Sequence, residues 1–160
     1  MANGYVVYNG PSMITGEPIK VIKTGTARDS DNRKTGPMLQ WWIMPTNSKP
    51  TDAVQNGDDR AVCGDCPARP SVGGHCYLNH GWINGTWGAE YPLERAHSDN
   101  PDRLGAWGDP AAMPYDVVRE HMGERWTGYT HQWRTCDARF KDIVMASVET
   151  PQDYITATQA

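Results

Sequence analysis

The chain has 160 residues, 15 Lys and Arg against 19 Asp and Glu, and a formal net charge of −4. That length fits one domain, the acidic balance disfavours binding nucleic acid by bulk charge, and the longest apolar runs fall far short of the ~20 residues a membrane-spanning helix needs. Leu, Ile, Val and Phe make only about 14% of the chain while Trp, Tyr and Met number seven each, so a core built around indoles is expected rather than an aliphatic one.

Residues 1–18 read as a loop-rich lead, punctuated by Gly10-Pro11 and Gly16-Glu17-Pro18, without the basic start and apolar stretch of a signal peptide. Residues 19–24 and 38–44 read as two strands, paired antiparallel across the polar connection 28–36. Residues 45–100 read as mostly irregular, which is uncommon unless the segment is functional or held by something. Residues 103–107 form a short buried strand ended by Gly108-Asp109-Pro110. A helix is predicted over 114–122, with Pro near its start and Gly123 beyond its end. Further strands are expected at 127–130 and 143–148, and a last helix with Thr150 as N-cap and Pro151 at its first position. The β-α-β order predicts parallel strands with crossover connections. The expected class is α/β (or α+β). It is a single domain over 1–160, with N-terminal strands in 1–45, an irregular metal-binding segment in 46–100 and a βαβ-like segment in 101–160. Its sheet is small, parallel and partial-barrel-like.

Cys63-Gly64-Asp65-Cys66 is a C-x2-C pair, the spacing that lets two thiolates meet one metal from a tight turn. Cys76 follows after nine residues rich in Pro and Gly. With no export signal, a disulfide framework is the weaker reading. Three thiolates with a fourth donor from Cys136, His75 or His80 suit structural zinc. Three thiolates alone suit a [4Fe–4S] cluster with one iron left open. The turn Ser30–Gly36 either caps itself or presents Asn32 and Lys34 to a polar ligand. Asp109, past the carboxyl end of a strand, either orients a ligand or caps the next turn. His131, in an aromatic run, is available as acid, base or ligand, while Trp107, Trp126 and Trp133 read as core.

The succession of Ser30, Asn32, Lys34 and Gly36, then Cys63, Cys66, Pro67, Cys76 and Tyr77, then Gly108-Asp109-Pro110, then Gly128 to Trp133, carries a resemblance. It resembles the uncharacterised proteins of phages and mobile elements that bear a radical-SAM-like cysteine cluster, over most of residues 10–150. The resemblance implies a partial α/β barrel with an Fe–S cluster near one end. It also implies a place in the host cell cytoplasm, if the chain is phage-encoded. The standard radical-SAM signature is C-x3-C-x2-C, whereas this chain has C-x2-C-x9-C and no Gly-Gly-Glu segment. That speaks against S-adenosylmethionine more than against the cluster.

The expectation is therefore a phage-type metalloprotein. Cys63, Cys66 and Cys76 hold a [4Fe–4S] cluster, and Asn32, Lys34, Asp109 and His131 line the adjacent cleft. Lys34, Asp109 and His131 are the candidate catalytic groups. A zinc-stabilised binding module for a host protein or nucleic acid, acting for instance against host defence, is the alternative, and a structural virion component the third. The expected partner is a small molecule or a host macromolecule, and no membrane.

Overall fold

The structure is a computed structural model that describes residues 2–159. Six strands join one sheet in chain order: β1 (Gly4–Pro11), β2 (Pro18–Thr24), β3 (Leu39–Pro45), β4 (Asp102–Trp107), β5 (Trp126–Thr130) and β6 (Met145–Ala146). β1, β2 and β3 pair antiparallel, and β3 to β6 pair parallel. The fold is α/β, as the element order predicts. β1 and β2 are joined by a short turn and β2 and β3 by the longer polar segment 25–38, whereas each parallel pair needs a crossover. The longest crossover, from β3 to β4, carries the cysteine segment.

Three local expectations are corrected. The lead is not a loop, because Gly4–Pro11 is a strand. Tyr5 and Val7 alternate into the core, and the Gly and Pro that suggested a loop sit only at its end. The middle is not mostly irregular. It holds the helices α1 (Pro50–Asn56), α2 (Arg60–Cys63) and α3 (His80–Gly88). These are too short to form alone and are made by packing; α3 even carries Gly81, Gly85 and Gly88. The strand expected at 143–148 shrinks to Met145–Ala146, because a 3-10 turn over Ala138–Asp142 takes the preceding chain. The helices at the other end fall where predicted, as α4 (Tyr115–His121) and α5 (Pro151–Gln159). Thr150 and Asp153 bond each other's backbone N–H reciprocally, both at 3.1 Å, which caps α5.

The core is also less indole-rich than composition suggests. Trp41 and Trp107 are buried, but Trp82 is 83% exposed and Trp126 37%. Ile19, Val21, Ile22, Ile43, Val62 and Val118 supply much of the interior. One buried ion pair pins the sheet to the end of α4. Lys23 Nζ lies 2.7 Å from Asp102 Oδ1 and donates to the His121 carbonyl at 2.9 Å. Asp102 also accepts from Trp41 Nε1 and from the Gly123 amide, each at 2.7 Å. A charge this deep is tolerated because every polar atom around it is paired. Among the described residues no helix is long and apolar enough to cross a membrane.

Candidate functional site

Helix α2 is a single turn, so its last carbonyls lack partners within the helix. Four successive carbonyls, those of Ala61 to Cys63 and of the cap Gly64, are met from outside the helix, the first three from distant parts of the chain. Ser12 Oγ donates to Ala61 at 2.6 Å, and the Asp109 amide donates to Val62 at 2.6 Å. Gln132 Nε2 donates to Cys63 at 3.2 Å, and an Arg69 guanidinium nitrogen donates to Gly64 at 2.6 Å. Arg69 is itself held by Asp59, with Nε to Oδ1 at 3.1 Å, and Ser71 Oγ donates to the same oxygen at 2.6 Å. The ends of β1, β4 and β5 thus converge on the start of the C-x2-C loop. The loop closes tightly, with the Cys66 amide donating to the Cys63 carbonyl at 3.1 Å.

Gly64 makes the closure possible. Its φ of +55° lies where side chains are disfavoured, and a Cβ there would stand 2.5 Å from the Gln132 carboxamide. Gln132 fills the space that Gly64 leaves and bonds the backbone on either side of it, accepting from the Asp65 amide at 3.4 Å.

Cys63, Cys66 and Cys76 line one cleft of about 450 Å³. Its floor is the half-exposed face of β4 and β5, carrying Arg103, Gly105, Thr127 and Tyr129 between buried Leu104, Gly128 and Thr130. β4 kinks at Gly105, which has φ of +76° and lies within a register shift against β3. All four cysteines are free thiols. Burial pushes the Cys63 thiol well above its ordinary value, and Cys66, Asp59, Asp109 and Cys76 push it the same way. Burial raises Cys66 too, helped by Cys76, Asp109 and Glu149 and opposed by a backbone N–H from Ala68. Apart from that N–H, these neighbours act against a thiolate; a bound cation reverses the balance. Among the described residues no three Cys, His, Asp or Glu side chains already converge on a single-ion site.

The expected site residues divide. Asp109 and His131 line the cleft with the three cysteines. Asp109 is buried, which raises its carboxyl, and both its oxygens accept backbone N–H bonds, from Ala111 at 2.9 Å and His131 at 2.8 Å. It is a capping and bracing group. His131 Nε2 lies 3.9 Å from Cys66 Sγ and 3.3 Å from Glu149 Oε1. Asn32 does not line the cleft. Its side chain accepts from the Lys34 amide at 3.0 Å and its carbonyl accepts from Gly36 at 2.8 Å, a self-capped turn. That turn nevertheless reaches the cleft: Thr35 lines it, and Lys34 Nζ stands 5.6 Å from the Tyr77 ring centre.

The fourth donors proposed from the sequence are elsewhere. Cys136 lines separate cavities with Asp137 and Phe140. His80 packs edge-on against Trp107, with ring centres 5.4 Å apart, and its Nε2 is buried without a partner. His75 is exposed and outside the cleft lining. Arg103 was not singled out from the sequence, and Thr127, Tyr129 and Gln132 stood there only as members of the run around His131, with no role of their own. An arginine inside a short apolar strand was the available signal for the first; the others read as ordinary strand and turn residues. Compared with family models, with curated proteins and with solved structures, the chain finds no match in any of the three.

Proposed function

We propose that Cys63, Cys66 and Cys76 hold an Fe–S cluster of the [4Fe–4S] type, and that the cleft beside them is where a small molecule reacts. The observation that carries this reading is the placement of all three thiols on one cleft, beside the open face of β4 and β5. The donor set fits. Three thiolates would leave one iron without a protein ligand, and the cleft they line has room for a small molecule. In such a cluster each thiolate would bind a different iron. One zinc ion would need all its donors within about 2.0–2.3 Å of a single point.

When bound, such a cluster supplies single-electron chemistry. The chain's own residues do the rest. The clamp on α2 fixes Cys63 and Cys66 at the carboxyl ends of β4 and β5, where α/β folds bind ligands. Asp109 braces the two ends against each other through Val62 and His131. His131, at the mouth beside Cys66, is positioned to exchange a proton with a ligand, and Glu149 holds its ring. The resemblance to radical-SAM-like proteins of phages agrees with this chemistry, and this reading commits to the cluster rather than to S-adenosylmethionine.

Anaerobic purification tests it. Brown protein with roughly four irons per chain is expected, falling to background when Cys63, Cys66 and Cys76 are all replaced by Ser. One zinc per colourless chain favours a zinc-stapled module with His131 as fourth donor. Metal-free protein that folds equally well with and without the cysteines sinks both.

A further inference from the structure

The cleft carries a second chemistry beside the cysteines. Arg103 leaves β4 on the cleft face, where its guanidinium donates to the Tyr77 hydroxyl at 2.9 Å and to Gln40 Oε1 at 3.2 Å. Lys34 lies over the same Tyr77 ring. Among the described residues, neither cation has a carboxylate within ion-pair distance, although acidic residues outnumber basic ones in the chain. The guanidinium's two recorded partners are neutral, so its charge is uncompensated. Thr127 adds a hydroxyl to the same lining. Two tyrosines on the lining have open surfaces, Tyr77 at 74% exposure and Tyr129 at 57%. Arg103 thus stands on the cleft near the start of β4, and Lys34, outside the lining itself, reaches its rim over Tyr77, the residue that follows Cys76.

We propose that the cleft binds a mononucleotide. The phosphate would meet Arg103, with Lys34 adding its charge from the rim, and the base would stack on Tyr77 or Tyr129. Two unpaired cations suit a phosphate, which an arginine fork meets in two directions. Exposed tyrosine faces suit a planar ring, since stacking on an aromatic side chain contributes about 1–3 kcal/mol per base. The space of about 450 Å³ falls within the size of ordinary ligand sites. A polynucleotide is disfavoured, because the net charge of −4 opposes a long phosphate track. This inference deepens the reading of the cleft as a reaction site, but its binding chemistry does not involve the cysteine ligands.

Isothermal titration of the full chain with AMP, GMP, CMP and UMP, with adenosine, and with inorganic phosphate tests it. At least one mononucleotide should bind, about tenfold or more tightly than either adenosine or phosphate. Lys34→Gln, at an exposed position, and Arg103→Gln should each weaken it by about tenfold. Unchanged melting temperatures would show that the fold is intact. The variant with Cys63, Cys66 and Cys76 replaced by Ser should still bind, so loss of the metal reading and loss of this one are separable. Iron-loaded protein that binds no mononucleotide overturns the inference and leaves the metal centre standing. Equal affinity for phosphate and nucleotide overturns the mononucleotide assignment, as does full affinity in a folded Lys34→Gln, Arg103→Gln double variant. A single-stranded oligonucleotide that binds where no mononucleotide does replaces it with a nucleic-acid interface.

Discussion

The side chain of Gln132 donates to the carbonyl of Cys63 at 3.2 Å, joining the end of β5 to the first cysteine of the C-x2-C loop. The same carboxamide accepts from Asp65 on the other side of Gly64. Gln132→Leu removes both bonds and leaves the Asp65 amide without its partner. We expect a stability loss of about 1–3 kcal/mol in urea unfolding. Iron retention during dialysis should fall more sharply, since the loop that positions two thiols is freed. Iron content that tracks stability alone would show that Gln132 does not position the cysteines.

Gly64→Ala strains the same point from the opposite side. The backbone there has positive φ, and the new methyl meets Gln132. A loss of about 1–3 kcal/mol is expected from the backbone alone. The double variant Gly64→Ala, Gln132→Ala should lose less than the sum of the two single changes, because the clash is relieved. Denaturant titration of the four proteins measures this.

Asp109 has its two oxygens on two backbone amides, so Asp109→Ala should damage the fold before it damages binding. A loss of about 1–3 kcal/mol is expected. Burial raises the carboxyl of Asp109 above its ordinary value of 3.8. The folded state then holds a proton that the unfolded state has released. The contribution of this group to stability is therefore largest at low pH and declines as pH rises through the interval between those two values. Asp109→Asn removes that interval's pH dependence. A stability profile for Asp109→Asn that parallels the unmodified chain there would refute the assignment.

Cys63 and Cys66 resist ionisation in the metal-free chain. Metal uptake must therefore displace protons, and apparent affinity should rise with pH across the neutral range. Alkylation of the metal-free protein should be slow at Cys63 at neutral pH, and loading with iron should block both residues. Rapid modification of Cys63, followed by mass mapping, would contradict the raised thiol.

The Lys23–Asp102 pair is a test of the fold rather than of the site. Asp102→Ala leaves Lys23, Trp41 Nε1 and the Gly123 amide without their shared acceptor. A cost of about 3–5 kcal/mol is expected, read by thermal or chemical unfolding.

Local patterning was enough for the strands around Val21, Ile43 and Leu104, because their apolar and β-branched runs lie between clear turn signals. The cap of α5 was also legible, since Thr150 and Asp153 bond within one turn of chain. β1 was hidden by the Gly and Pro at its end, and α3 by its three glycines. Cys63, Cys66 and Cys76, which the spacing grouped together, do line one cleft, and His131 lies on the same lining. Asn32 was misplaced, because its own turn uses up its side chain. Arg103 and Gln132 were missed, because each acquires meaning only from a partner far along the chain: Tyr77 is 26 residues from Arg103, and Cys63 is 69 from Gln132.

The sequence by itself determined the class of fold, the spacing of the three cysteines and the polar turns. Tertiary structure alone decided that the three thiols share a cleft with Asp109, His131 and Arg103, and that Cys136, His75 and His80 do not. The reason is the four open carbonyls of α2. A one-turn helix cannot satisfy them itself, and the groups that do arrive from β1, β4, β5 and the cysteine loop. Those bonds, rather than any local motif, place the cysteines beside the open face of the sheet.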